Sequence, residues 1–385
     1  MTSTMATDVQ GTVAPGFEGV RDAFAANFSE RGDVGASLAV TRDGALVVDL
    51  WGGWADAERT RPWTRETLVN VYSTTKGITA LAAAMLADRG QLDTDALVTG
   101  YWPEFGAAGK ERIPVRWLLS HQAGLPAVDG EVPPGGALDW MTMIHLLEQQ
   151  APAWEPGTKM GYHAVTYGWL VGEVIRRITG KTPGTFVRDE IAGPLGAGFF
   201  IGLPESEDAR TADIIPQADT GGPLPAFDPN SLAAKALTLG SGQSGAGVNT
   251  RAWRAAELPA ANGHANAAAL ARIYGCLARG GELDGVRLLG KPAIERFATE
   301  VVSGHDEVIG VDARRGLGFI LSQTGGRYHW GPNQRSFGHS GAGGSLGFAD
   351  PDARIGFGYT MNQMASGLSA DPRWAPMIEA VYGSL

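Results

Sequence analysis

Ser73-Thr74-Thr75-Lys76 sets a hydroxyl and an amine three residues apart. In a helix, residues at i and i+3 share a face, so the Ser73 hydroxyl would stand beside the Lys76 amine. A serine attacks a carbonyl only when an adjacent base takes its proton. A lysine removed from water gives up its own proton more readily and can be that base. No Asp or Glu lies between Asn70 and Ala87, so no local carboxylate would hold this lysine charged. A helix start also offers a dipole suited to an oxyanion. Taken alone, the pair is a weak signal that occurs by chance in many proteins and reads first as a capping serine and a surface lysine.

Two distant segments carry matching residue types. Residues 154–170 place Tyr162 on a glycine-led loop before a helix, with His163 and Ala164 following. Residues 337–344, Phe-Gly-His339-Ser340-Gly341-Ala342-Gly-Gly, place a polar side chain and bare backbone beside a strand. Other motifs carry less. Gly343-Gly344-Ser345-Leu346-Gly347 has the G-x-S-x-G form, but strand and turn residues follow it where an elbow needs a helix. Residues 240–245 match G-x-G-x-x-G without a preceding strand or a later acid, and read as a glycine-rich loop. His121 is expected to bond the end of its own helix. Trp51, Trp54, Trp63, Trp154 and Trp330 are candidates for an acyl pocket, although scattered tryptophans also serve as packing.

The elements that must position these groups follow from periodicity. Helices are expected at 17–28, 75–89, 115–119, 140–149, 166–179, 185–191, 266–278, 292–300 and 372–382. Asp43-Gly44 between two β-rich runs predicts a two-residue hairpin. Residues 316–322, 344–349 and 354–361 read as strands, with Asp350-Pro351-Asp352-Ala353 as the turn joining the last two. Residues 196–247 read as a long irregular loop. The simplest packing is α+β: both chain ends form one antiparallel sheet flanked by terminal helices, and the middle forms an inserted, mostly helical domain. The expected division is 1–71 with 312–385 for the sheet and 72–311 for the helical part, with the site at their junction.

Composition excludes several classes. The chain has 385 residues and a formal charge of −10, so it repels phosphate backbones and nucleic acid is not an expected partner. Its one cysteine, Cys276, permits neither an intrachain disulfide nor a Cys-rich zinc site. The seven histidines show no H-E-x-x-H spacing, and no metal ligands are assigned. No apolar run reaches membrane-span length, and the N-terminal residues show no signal-peptide pattern, so a cytoplasmic protein with no membrane partner is expected. Oligomeric state is not readable.

With Ser73-x-x-Lys76, the Tyr162 loop and the His339-Ser340-Gly341 segment in this order, the chain resembles the serine β-lactamase and penicillin-binding-protein superfamily. It looks most like the class C branch and the family VIII carboxylesterases, over nearly its whole length. Residues 118–125 and 245–250 look like that group too. The resemblance implies a β-lactamase-like fold and roles for individual residues. Ser73 is the acylated nucleophile, Lys76 its proton partner, and Tyr162 the proton shuttle to the leaving group. The backbone N–H groups of Ser73 and Ala342 form the oxyanion hole. His339 and Gly341, in the K-T-G position, meet substrate, with His163 flanking. Two departures stand out: the family's Y-x-N asparagine is Ala164 here, and the K-T-G lysine is His339. Both favour a neutral ester over an anionic amide. The expectation is therefore a serine carboxylesterase for a small ester, with no metal or organic cofactor. A β-lactamase or D-amino-acid peptidase, an acyltransferase, or a non-catalytic protein of the same fold are the alternatives.

Overall fold

The structure, a computed structural model, describes residues 8–217, 228, 231–238, 245–365 and 371–385. Nine strands among the described residues form the main sheet: β1 (Gln10–Val13), β2 (Gly35–Arg42), β3 (Ala45–Gly53), β4 (Val302–His305), β5 (Asp312–Arg315), β6 (Ile320–Leu321), β7 (Phe337–Ser340), β8 (Leu346–Asp350) and β9 (Ile355–Met361). Their spatial order is β1-β3-β2-β9-β8-β7-β6-β5-β4, and every neighbouring pair is antiparallel. The two chain ends thus meet where β2 pairs β9.

Local chemistry explains this meeting. Asp43 and Gly44 both take positive φ, 49° and 86°, so the β2–β3 hairpin turns in two residues. Asp350 Oδ1 accepts the N–H groups of Asp352 and Ala353, closing the β8–β9 turn. Along β9, Ile355, Phe357, Tyr359 and Met361 point to one face with Leu38 and Phe348. Helices α1 (Glu18–Glu30) and α5 (Trp374–Gly383) cover that face through Val20, Phe24, Met377, Ile378 and Val381. The alternate β9 positions are Gly356 and Gly358. A Cβ on Gly356 would sit 2.2 Å from the Gly275 nitrogen, and one on Gly358 2.2 Å from the Ala267 oxygen. These glycines let helix α4 (Ala267–Ala278) lie directly on the opposite face.

Beyond α4 lies the helical region. Helix α2 (Thr75–Asp88) is buried at every position from Thr75 to Leu86, as its apolar, Ala-rich sequence requires. Helix α3 (Thr166–Thr179) packs beside it in the same core.

The structure departs from expectation at several elements. Residues 316–322 do not form one strand: Gly318 takes φ 85° and Gly316 N–H bonds Phe319 O, so a turn joins β5 to β6. Strand β4, at the sheet edge, is exposed at three of its four residues and needs no apolar alternation, and β5 beside it buries only Ala313 and Arg315. The sheet consequently resumes at Val302, before residue 312, and α4 packs on it although it lies within 72–311. The stretch read as loop contains a short strand, Phe199–Phe200, a turn of 3-10 helix, Glu205–Arg210, and a helix, Leu232–Thr238. Residues 240–244 of the glycine-rich motif lie outside the described residues.

Candidate active site

The chain enters α2 through a turn of 3-10 helix, Tyr72–Thr74, that carries Ser73. Tyr72 takes φ 45°, a left-handed conformation costly for a bulky residue. The turn is fixed by Val71 N–H to Gly263 O and by Ser345, whose hydroxyl donates to Val71 O at 2.7 Å. Ser345 is buried and tied to this bond and to Thr74, so it is an anchor for the turn and not a nucleophile.

Lys76 is wholly buried, with Nζ 3.0 Å from Ser73 Oγ. Nζ also donates to Ala164 O at 2.6 Å and to Ala260 O at 2.9 Å. Two carbonyls take two N–H bonds, which leaves a neutral amine one lone pair facing the Ser73 hydroxyl. Burial, with a lesser contribution from the charge of Arg315, holds the Lys76 pKa well below the ordinary lysine value of 10.5. Among the described residues no carboxylate pairs with Lys76, in keeping with the acid-free stretch around it in the sequence.

Tyr162 is buried and shares the cavity with Ser73. Burial pushes its phenol up, opposed by the nearby Ser73 hydroxyl and then by Arg315. Lys76 Nζ lies 4.7 Å from its ring centroid. Ser73, Lys76 and Tyr162 are thus brought together as the sequence predicts.

Ser73, Tyr162, His339, Ser340 and Ala342 share one cavity of about 270 Å³. Its remaining wall is largely apolar, with Leu237, Val248, Trp253, Ile309 and Met364. A larger cleft of about 830 Å³ lies elsewhere, against Arg279, Arg314 and Arg354, and its cations are paired with acids or backbone carbonyls. His339 stacks on Tyr162 at 6.2 Å between ring centroids. Its Nδ1 bonds Ser340 O at 2.7 Å, so the buried Nε2, which has no partner among the described residues, carries the lone pair of an acceptor. Gly341 lies between two lining residues but is itself packed against Ser345 and Val71 O, where a Cβ would sit at 2.2 Å.

Three expectations need correction. His163 does not face the cavity. Its Nε2 accepts Leu125 N–H at 3.0 Å and its Nδ1 bonds Gly161 O at 2.6 Å, so both nitrogens are spent on holding loops. His121 does not cap its own helix; its Nδ1 accepts His163 N–H and its carbonyl accepts Gly161 N–H, clamping the Tyr162 loop. Of the tryptophans, Trp253 lines the cavity, and none of the five named from sequence does.

Sequence reading missed Asp306 and Arg315. Arg315 Nη2 pairs with Asp306 Oδ2 at 3.0 Å, and both residues are buried. Asp306 Oδ1 accepts Tyr162 N–H at 2.9 Å. No local pattern marks them, because the pair forms only when β5 and the loop before it meet the Tyr162 loop.

The buried histidines set an acid limit on stability. Burial holds His121 and His339 well below 6.5, His163 at about 4 and His264 at about 3. Below pH 6.5 the unfolded chain therefore binds more protons than the folded one, so stability falls as pH falls. The melting temperature should drop progressively from pH 6.5 to about 4. A flat melting temperature over that window would contradict the neutral-histidine assignment.

A serine hydroxyl opposite a buried lysine with no acid partner, at the junction of an antiparallel sheet and a helical layer, defines the S-x-x-K class of active-site-serine proteins. Within that class, the chain belongs to the Beta-lactamase family, whose model matches residues 22–382. It is 36% identical over 384 residues to the esterase/beta-lactamase LipL of Mycobacterium tuberculosis (strain ATCC 25618 / H37Rv), covering 94% of this chain and 84% of that protein. Among solved structures it is similar to a family VIII carboxylesterase, with TM-score 0.90, 46% identity, and 98% and 100% of the two chains covered. It is also similar to a penicillin-binding protein homologue from Caulobacter crescentus, with TM-score 0.91, 40% identity, and 98% and 100% covered. The expected superfamily and its β-lactamase-like fold are borne out. No helix among the described residues is long and apolar enough to cross a membrane.

Proposed function

We infer that this chain is a carboxylesterase that cleaves small carboxylic esters through an acyl-enzyme on Ser73. The observation that carries the reading is the Lys76 amine, held by two carbonyls with its third direction on Ser73 Oγ at 3.0 Å. Ser73 Oγ attacks the ester carbonyl carbon as its proton passes to Lys76 and Tyr162. The resulting oxyanion is received by the N–H groups of Ser73 and Ala342. Tyr162 protonates the alcohol oxygen as the C–O bond breaks, leaving the acyl group on Ser73. Water then attacks the acyl carbon and gives a proton to the same pair, which returns it to Ser73 Oγ as the acyl C–Oγ bond breaks and the acid leaves.

Ester substrates are favoured by what the cavity offers. Ala164 has no side-chain amide to bind an amide substrate. His339 is uncharged, since burial keeps its pKa well below 6.5, and cannot pair with a carboxylate. A site lacking polar partners gives little discrimination in favour of polar substrates. The cavity of about 270 Å³ suits a short acyl group. The esterase names of the similar proteins support the same reading.

The test is a 4-nitrophenyl ester series run beside a chromogenic cephalosporin. Acetate to butyrate should give the highest kcat/KM, with decanoate lower by about tenfold or more, and the cephalosporin lower still. Equal kcat/KM on cephalosporin and acetate would overturn the substrate assignment.

A further inference from the structure

Beneath Tyr162 stands a cation that the reaction just described does not use. Arg315 is 2% exposed, and its guanidinium carbon lies 5.2 Å from the Tyr162 ring centroid. Asp306 ties the two elements together: Oδ2 holds Arg315 and Oδ1 holds the Tyr162 N–H. The same Oδ1 accepts the N–H groups of Val308 and Ile309, at 3.0 and 3.2 Å, and Ile309 lines the cavity. We propose that Arg315, fixed by Asp306, is a positioning residue for the Ser73–Lys76–Tyr162 centre, its permanent charge setting the pair that takes the Ser73 proton. This rests on the reading of Lys76 and Tyr162 as that pair.

A buried ion pair is a weak source of stability compared with apolar packing, so its place against the reacting tyrosine calls for another reason. Charge supplies one. A neighbouring cation disfavours protonated lysine and favours phenolate. Arg315 acts on Lys76 and on Tyr162 in these directions, after burial on Lys76 and after both burial and the Ser73 hydroxyl on Tyr162. The other titratable groups around the pair do not replace it. His121 and His339 are held neutral, as is His163 with its pKa at about 4. Burial pushes the phenols of Tyr72 and Tyr167 up, so they stay protonated. Asp306 and Tyr328 act on Tyr162 in the opposite sense to Arg315, and more weakly.

The test is the pH profile of kcat/KM on 4-nitrophenyl acetate for Arg315→Met, Arg315→Lys and the double variant Asp306→Asn/Arg315→Met. Activity rises with pH as the base loses its proton, and removing the cation makes that loss harder. The rising limb should move up by about one pH unit in Arg315→Met, with kcat at pH 7 lower by about tenfold and KM changed by less than about threefold. Arg315→Lys should restore the limb to within about 0.3 of a unit, because it keeps the charge. The double variant leaves no orphaned charge, so it should fold and still show the raised limb; it decides the matter if Arg315→Met does not fold. A lowered kcat with an unmoved limb, in either neutral variant, would show that the pair is merely structural and overturn the proposal. Tyr162→Phe separates the two levels. If it is inactive while the Arg315 variants keep the wild-type limb, only the role of Arg315 fails. If it keeps full activity, the reading of Tyr162 fails with it.

Discussion

Ser73→Ala is expected to lower kcat/KM on 4-nitrophenyl acetate by about 10⁴-fold or more, with the melting temperature close to wild type. The size follows from losing the nucleophile of a unit that acts together, where one deletion removes nearly the whole advantage. The fold should survive because Ser73 makes no contact that the turn depends on. The turn is held by Val71 with Gly263 and by the Ser345 hydroxyl on Val71 O. Lys76 keeps both carbonyl partners in the variant. Steady-state kinetics beside thermal unfolding checks both halves. Retained activity in a folded Ser73→Ala variant would remove Ser73 from the mechanism.

Lys76→Arg should cost about 10³-fold in kcat/KM, since a guanidinium keeps its charge and cannot serve as the base. It should also lower the melting temperature, because it places a permanent cation in a fully buried site already facing Arg315. Lys76→Met controls for this: it should keep the fold and lose activity to a similar degree. The wild-type profile should rise with pH through a value well below 10.5, because burial depresses the lysine. Lys76→His supplies a base of about 6.5 in water, and burial lowers it further, so residual activity should rise at lower pH than in wild type. An unchanged profile in Lys76→Arg would make the lysine an electrostatic support only.

Much of this was legible in the sequence because its causes are local. The Asp43-Gly44 hairpin, the Asp350 turn and the spacing of Ser73 from Lys76 each depend on a few adjacent residues. The alternation Ile355-Gly356-Phe357-Gly358-Tyr359 marks a strand, and the structure adds why glycine fills one face: α4 touches it. What stayed hidden depends on long-range meeting. Asp306 and Arg315 gain their meaning only from the Tyr162 loop, which lies far away along the chain. His163 sits beside Tyr162 in sequence, yet its ring turns to Leu125 and Gly161. Strand β4 lacks an apolar period because it is the edge strand, and β5 beside it buries Ala313 and the ion-paired Arg315 at its inward positions. Trp253 reaches the cavity from a short helix, Arg251–Ala255, with no motif to announce it.

The proposed reaction runs through a covalent adduct on Ser73. Intact-mass and peptide mass spectrometry after treatment with a fluorophosphonate tests it most directly. One adduct per chain should form, on the peptide holding Ser73, with parallel loss of esterase activity and no adduct in Ser73→Ala. An adduct on the Ser345 peptide, or full loss of activity with Ser73 unmodified, would contradict the account.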